Sequence, residues 1–151
     1  MNELKMQQIM IKDRFDGGSR LLLPNIYLSS RNNTEIDLME ISKAGYCTFY
    51  EIKISRSDFK ADLKKHRHKL MSEMSHKLPI KPKQFYYVIH GFDVKEDEIP
   101  QYAGLIKVDD SGSLNYLKYA PNLWNEKISP TNLEFLLRKI AIRYSIDLWR
   151  K

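Results

Sequence analysis

Residues 35–54 read EIDLMEISKAGYCTFYEIKI, in which two runs of apolar and β-branched side chains flank Lys43-Ala44-Gly45. A three-residue loop with its glycine in the left-handed conformation would place Ser42 opposite Tyr46. That single pairing sets the register of both strands. The stretch therefore predicts an antiparallel β-hairpin.

The predicted register brings four charged side chains together. Asp37 would lie opposite Glu51, and Glu35 opposite Lys53. Because alternate residues of a strand share a face, all four would project from one side of the sheet. Two facing carboxylates repel each other, so Asp37 and Glu51 need a shared proton, the nearby lysine or a divalent cation. The hairpin is therefore a candidate metal site.

The rest of the chain predicts a mixed sheet flanked by helices. Both faces of the hairpin strands are largely apolar, so the sheet must be covered on both sides. A capping box at Ser55–Asp58 predicts one long helix to about Met74 or Leu78. Five further elements are expected: a helix over residues 2–12, a loop or edge strand over 21–28, a strand over 84–90 parallel to the hairpin, a second hairpin turning at 109–112, and a helix from Ser129-Pro130.

The composition fits one α/β domain over residues 1–151, with 42% hydrophobic residues. The only cysteine, Cys47, excludes an intrachain disulfide. Neither a secretory signal nor a membrane-spanning run is found, so we expect a cytoplasmic protein that does not bind membranes. The net charge of +6 at pH 7 favours a polyanionic partner such as DNA.

A row of basic residues follows the hairpin at helical spacing: Arg56, Lys60, Lys64 and Arg67. Such a row can track the phosphates of DNA without reading its bases. The alternative is an ordinary solvated face on which Asp58 and Asp62 form local pairs. His66 and His68 would point to different sides of a helix and do not predict a zinc site. We expect them to be surface or packing residues.

The charged hairpin has the residues that phosphodiester hydrolysis needs. Magnesium accepts a site with only one or two carboxylates, completed by water and substrate phosphate. Asp37 and Glu51 meet that minimum. Lys53 would either orient the attacking water or stabilise the charge on the phosphate in the transition state, and the sequence leaves both roles open.

Asp37, followed after a short turn by Glu51-Ile52-Lys53, resembles the PD-(D/E)XK nuclease signature, with Ile36 in place of the proline. Further segments are similar to the MmcB-like branch of that superfamily, which is associated with DNA repair. They are EIKISRSDFKAD at 51–62, Ile99-Pro100, AGLI at 103–106 and Ala120-Pro121. The likeness covers roughly residues 20–144.

The resemblance implies a restriction-endonuclease-like αβββαβ core and a Mg²⁺- or Mn²⁺-dependent DNA nuclease of repair or processing. It implies Asp37 and Glu51 as metal ligands and Lys53 as the catalytic lysine. Glu35 has no role in the signature, and it is either a third acid of the site or the partner of Lys53. Residues 65–83 form a longer segment than is usual in that branch.

Two other functions fit the same residues. One is a non-catalytic DNA-binding or partner-binding module that retains the nuclease fold. The other is a protein-interaction subunit in which the hairpin is only an ion-pair network, since a Glu-x-Lys on a strand is usually a solvated pair. Against this, the charges interrupt strands that are otherwise apolar on both faces. A nuclease this small would need a second copy of itself or a partner protein to cut both strands of a duplex.

Overall fold

The computed structural model describes residues 1–28, 35–75 and 77–151. These residues form one mixed sheet in which the strands follow one another in chain order. The strands are β1 (Leu21–Tyr27), β2 (Glu35–Ile41), β3 (Cys47–Lys53), β4 (Gln84–Ile89), β5 (Ala103–Val108) and β6 (Leu114–Lys118). β4 runs parallel to β3 and β5, and the other pairings are antiparallel. The predicted mixed sheet is confirmed, and the segment with Pro24 forms its edge strand, where a missing N–H is tolerated.

Four helices flank this sheet in the described part of the chain. They are α1 (Glu3–Arg14), α2 (Arg56–Asp62), α3 (His66–Ser72) and α4 (Pro130–Trp149), and a 3₁₀ turn lies at Glu96–Glu98. The side chains of Asn2 and Ser129 cap α1 and α4 by accepting the backbone N–H of Lys5 and Asn132. Among these residues no helix is both long and apolar enough to cross a membrane.

The central strands β2–β5 are buried on both faces, as their apolar sequences predict. One core contains Phe49 and Phe85 of the central strands, together with residues of α2, α3 and α4. The other lies beneath α1, where Met6 and Met10 are fully buried beside Tyr50. Any charged side chain on β2 or β3 must therefore find its partners inside the protein.

The predicted hairpin register is confirmed for the four pairs next to the turn. Gly45 has φ +94°, and the backbone N–H of Ser42 donates to the carbonyl of Tyr46 at 2.9 Å. The ladder continues from Ile41–Cys47 to Leu38–Tyr50. It ends there, directly before the charged positions, so the paired backbone does not itself fix the geometry of the site.

The expected long helix after the hairpin is wrong. Two short helices, α2 and α3, replace it, and they are separated by Leu63–Lys65. Lys64 and Lys65 make i→i+3 backbone bonds to Ala61 and Asp62, and Lys65 then turns to an extended conformation. The turn redirects the chain, so residues at the start of α3 no longer continue the exposed side of α2.

Candidate metal centre

Two acids and a lysine meet on β2 and β3. Asp37, Glu51 and Lys53 are only 9%, 2% and 5% exposed. Nζ of Lys53 lies 2.9 Å from Oε1 of Glu51. Oδ2 of Asp37 accepts the backbone N–H of Ile52 at 2.7 Å, which brings its carboxylate onto β3 beside Glu51. The three residues of the predicted signature therefore share one buried site.

A glutamine of α1 holds Asp37 in this position. The β1–β2 ladder skips the pair Asn25–Asp37, where Asn25 adopts a left-handed φ of +51°. Nε2 of Gln7 fills the opening by donating to the backbone carbonyl of Asp37 at 2.6 Å and to Oδ1 of Asn25 at 3.0 Å. The backbone of Asp37 is thereby held by a helix, and its carboxylate is left to face β3.

Glu35 does not join the site as the simple register predicted. Ile36 and Met39 pack in the same core, whereas Leu38 packs in the other, so the two-residue alternation of β2 breaks near Asp37. Glu35 lies opposite Tyr27 of β1 and raises the pKa of Tyr27 through a hydrogen bond. Among the ion pairs of the described residues, none joins Glu35 to Lys53.

Arg67, predicted to contact DNA from an exposed row, is instead buried in the carboxylate site. Its side chain is 3% exposed. Nη2 lies 2.6 Å from Oε1 of Glu51 and 2.8 Å from Oδ1 of Asp62, and Nη1 donates to the carbonyl of Glu35 at 2.5 Å. The turn between α2 and α3 causes this change, because it directs the first residues of α3 inward.

The other three members of the predicted basic row remain on the surface. Lys60 and Lys64 are exposed. Arg56 donates to the carbonyl of Asp93 at 2.6 Å and forms an ion pair with Glu98. The row is therefore shorter than predicted, and one of its members is already partnered within the protein.

Asp62, which the sequence suggested only as a local surface partner, is central to the site. Its side chain is fully buried and has five partners: Lys53 at 3.3 Å, Lys65 and Arg67 at 2.8 Å, His68 at 2.6 Å and the Tyr87 hydroxyl at 3.0 Å. Burial alone would raise its pKa, but the hydrogen bond to His68 and the charge of Arg67 outweigh burial and hold the pKa far below its usual range. Asp62 is therefore ionised.

The two signature acids are shifted in the opposite direction. Burial raises the pKa of Asp37 to about 6. Burial also raises the pKa of Glu51, with a further contribution from the charge of Asp37 and in spite of Arg67 and Lys53. For Lys53, burial lowers the pKa, but Glu51 and Asp62 more than compensate, so its pKa is raised and the amine stays protonated.

The donor set fits a hard divalent cation. Both Lys53 and Arg67 contact Oε1 of Glu51, while Oε2 is buried and accepts no hydrogen bond from any described residue. A bare buried carboxylate oxygen is costly, and a cation held by Glu51 and Asp37 would remove that cost. Within residues 1–28, 35–75 and 77–151 no three His, Cys, Asp or Glu side chains form a metal-holding group. Mg²⁺ does not need three such ligands, because it accepts a site of two carboxylates completed by water and phosphate.

Sequence reasoning missed Asp62 as a site residue, the inward position of Arg67, and the partners of His68. Asp62 carries a usable signal, because it follows the buried Phe59 by three residues and so lies on the inner face of α2. His68 was expected to be a surface or packing residue, and it is buried with Nδ1 2.5 Å from the Tyr102 hydroxyl. The side chain of His66 lies outside the described residues.

Comparison with known proteins yields a fold but no function. No family model matches the chain, and no curated protein matches it. Among solved structures it is similar to SPO1766, a protein of unknown function from Silicibacter pomeroyi, with a TM-score of 0.63 and 17% sequence identity. The alignment covers 98% of this chain and 90% of the other. The mixed α/β fold is thus shared with a solved protein.

Proposed function

We propose that this protein is a DNA nuclease that hydrolyses phosphodiester bonds with Mg²⁺ or Mn²⁺ bound by Asp37 and Glu51. The observation that carries the proposal is the bare, buried Oε2 of Glu51, which has no hydrogen-bond donor in the described part of the chain. It lies on a glutamate whose pKa is raised by burial and by the charge of Asp37, and a protonated lysine lies beside it. The biological setting we propose is DNA repair or processing.

The charges of the buried site support a metal and a phosphate bound together. Asp37, Glu51 and Asp62 supply three negative charges when ionised, and Lys53 and Arg67 supply two positive charges, which leaves one negative charge. A divalent cation would leave one positive charge, which one phosphodiester group would neutralise. Neither ligand alone balances the site, and a buried net charge is costly.

Each residue has a role that its environment allows. Asp37 and Glu51 would hold the cation, which supplies Lewis-acid activation of the phosphate and of a water molecule when bound. Lys53 stays protonated, so it is suited to stabilise negative charge on the phosphoryl oxygens and not to act as a base. Arg67 and Asp62 keep Glu51 and Lys53 in place.

The fold also supports the proposal. Helix α1, strands β1–β3, the helix pair α2–α3 and strand β4 follow one another in the αβββαβ order of the PD-(D/E)XK superfamily. The acids lie on β2 and β3, and the lysine lies two residues after the second acid on the same strand. This is the arrangement that the superfamily signature requires.

Metal binding and cleavage together test the proposal. Calorimetry with Mn²⁺ and Mg²⁺, with and without a short DNA, should give a binding signal for the wild type that Glu51→Gln and Asp37→Asn lose. Labelled single- and double-stranded DNA should be cut with metal and spared with EDTA, and Lys53→Met should stop cleavage while metal still binds. Glu40→Gln, on another face of the sheet, is the matched control. Absence of metal binding by the wild type, with or without DNA, would overturn the proposal.

One observation favours a second candidate, a DNA-binding module without catalysis. Arg67 and Lys53 already neutralise Oε1 of Glu51, so internal ion pairs satisfy part of the charge that a metal ion would otherwise balance. Such a protein would bind DNA with a steep salt dependence and cut it with no metal. The cleavage assay distinguishes the two functions.

A further inference from the structure

A cleft of about 610 Å³ lies next to the carboxylate site. One wall is the α2–α3 turn and α3, and the opposite wall is the loop from Asp97 to Pro100. The rim on the α3 side carries three exposed lysines: Lys64, Lys65 and Lys69. The opposite wall carries two acids, Asp97 and Glu98, and Glu98 is already paired with Arg56. The three lysines therefore still give the cleft an excess of positive charge.

The floor of the cleft is aromatic and tied to the site. His68 and Tyr102 line it, and their rings stack with centroids 5.9 Å apart. Nδ1 of His68 contacts the Tyr102 hydroxyl, and Nε2 contacts Oδ2 of Asp62 at 2.6 Å. The floor is thereby fixed to the same aspartate that holds Lys53.

The cleft opens close to Lys53. Lys65 at its rim and Lys53 in the site both contact Oδ1 of Asp62, at 2.8 and 3.3 Å. Because both contacts are to the same oxygen, the two amine nitrogens lie at most 6.1 Å apart. A strand with one phosphate at Lys53 could therefore present its next nucleotide to the cleft.

We propose that this cleft binds an unpaired nucleotide adjacent to the phosphate at Lys53, with its phosphate on Lys65 and Lys69 and its base against Tyr102. This rests on the proposed nuclease function and adds its substrate class, DNA with a single-stranded or frayed segment. The volume lies in the range of pockets that hold one small ligand. In a duplex each base stays stacked and paired, so a duplex offers no free nucleotide to the cleft.

Equilibrium DNA binding without metal tests this inference. Fluorescence anisotropy of a labelled single-stranded oligonucleotide and of its duplex, in EDTA and over a range of salt, compares the wild type with the double variant Lys65→Gln, Lys69→Gln. The wild type should prefer the single strand. The variant should lose at least tenfold in single-strand affinity, and its salt slope should fall by about 0.7, the value for the one phosphate that these two lysines would neutralise.

The chain offers a matched control and a second variant. Lys5 and Lys12 line another cleft, of about 680 Å³, between α1 and the β5–β6 turn, so Lys5→Gln, Lys12→Gln removes the same charge elsewhere. Ser72 is exposed at the proposed cleft, and Ser72→Trp would fill the cleft without changing charge. It should weaken single-strand binding, while thermal melting confirms that each variant folds.

Three outcomes would overturn the inference: wild-type preference for the duplex, equal losses in both lysine pairs, or unchanged binding by Ser72→Trp. Metal binding at Asp37 and Glu51 is measured separately by calorimetry. If metal still binds and DNA is still cut, the nuclease proposal stands and only the cleft assignment fails. If neither occurs, the failure lies in the proposed function itself.

Discussion

Glu40 and Glu51 lie on neighbouring strands and are both almost completely buried, 4% and 2% exposed, but their surroundings differ. Both oxygens of Glu40 are bound. Arg14 reaches them with Nε at 2.9 Å and Nη2 at 3.1 Å, Arg20 lies 3.3 Å away, and the Tyr50 hydroxyl donates at 2.9 Å. Glu51 has two cations on one oxygen and, among the described residues, no partner on the other.

The difference separates a structural carboxylate from a candidate functional one. The ion pair with Glu40 fastens the end of α1 to β2, and its hydrogen bond raises the pKa of Arg14. Arg14 and Arg20 remain partly exposed, so their charges are also solvated. The cations of Glu51 are themselves buried and shared with Asp62. An ionised buried carboxylate with an unpaired oxygen is costly, and either a bound proton or a cation can remove that cost.

The largest effect is expected at Asp62, which compensates the buried cations of the Glu51 cluster. Asp62→Ala would leave Lys53 and Arg67 with one fewer buried anion and His68 without its acceptor. Breaking buried pairs in this way costs about 3–5 kcal/mol, so urea unfolding should show a loss of that size. Asp58→Ala, an exposed acid 3.8 Å from Lys53, is the control and should cost less than about 1 kcal/mol. Similar losses for the two variants would contradict the central role of Asp62.

A smaller loss is expected at Glu40. Glu40→Gln keeps the shape of the side chain but weakens its charged hydrogen bonds, while Arg14 can turn toward solvent. Unfolding free energy should fall by about 2 kcal/mol, and metal binding should be unchanged. A variant at Glu40 that lost metal binding would show that the two glutamates are not separate in function.

The two clusters also show which features a sequence reveals. The hairpin register was predictable because the left-handed Gly45 and the apolar strands act locally, and the capping residues of α1 and α4 are equally local. The turn after α2 was not predictable in this way, because Leu63–Lys65 contains no glycine or proline. The cations that pair with Glu40 are Arg14 of α1 and Arg20, which are distant from it in sequence. Strand periodicity therefore could not show that Glu40 forms ion pairs.

The smallest effect, and one of opposite sign, is expected for Glu51→Gln without metal. The raised pKa of Glu51 means that the folded protein retains a proton that the unfolded chain releases at lower pH. The contribution of Glu51 to stability is therefore fully present below its unfolded pKa near 4.5 and is lost as pH rises through its folded pKa. Glutamine does not ionise, so the free energy of unfolding of the variant should match that of the wild type near pH 4.5 and exceed it by about 1–2 kcal/mol at pH 8.

Thermal melts of both proteins in EDTA at these two pH values measure the difference, and saturating Mn²⁺ at pH 8 should reverse it by stabilising only the wild type. If the variant were instead less stable than the wild type at pH 8 in EDTA, the ion pairs to Lys53 and Arg67 would outweigh burial, and Glu51 would belong with Glu40 as a structural residue.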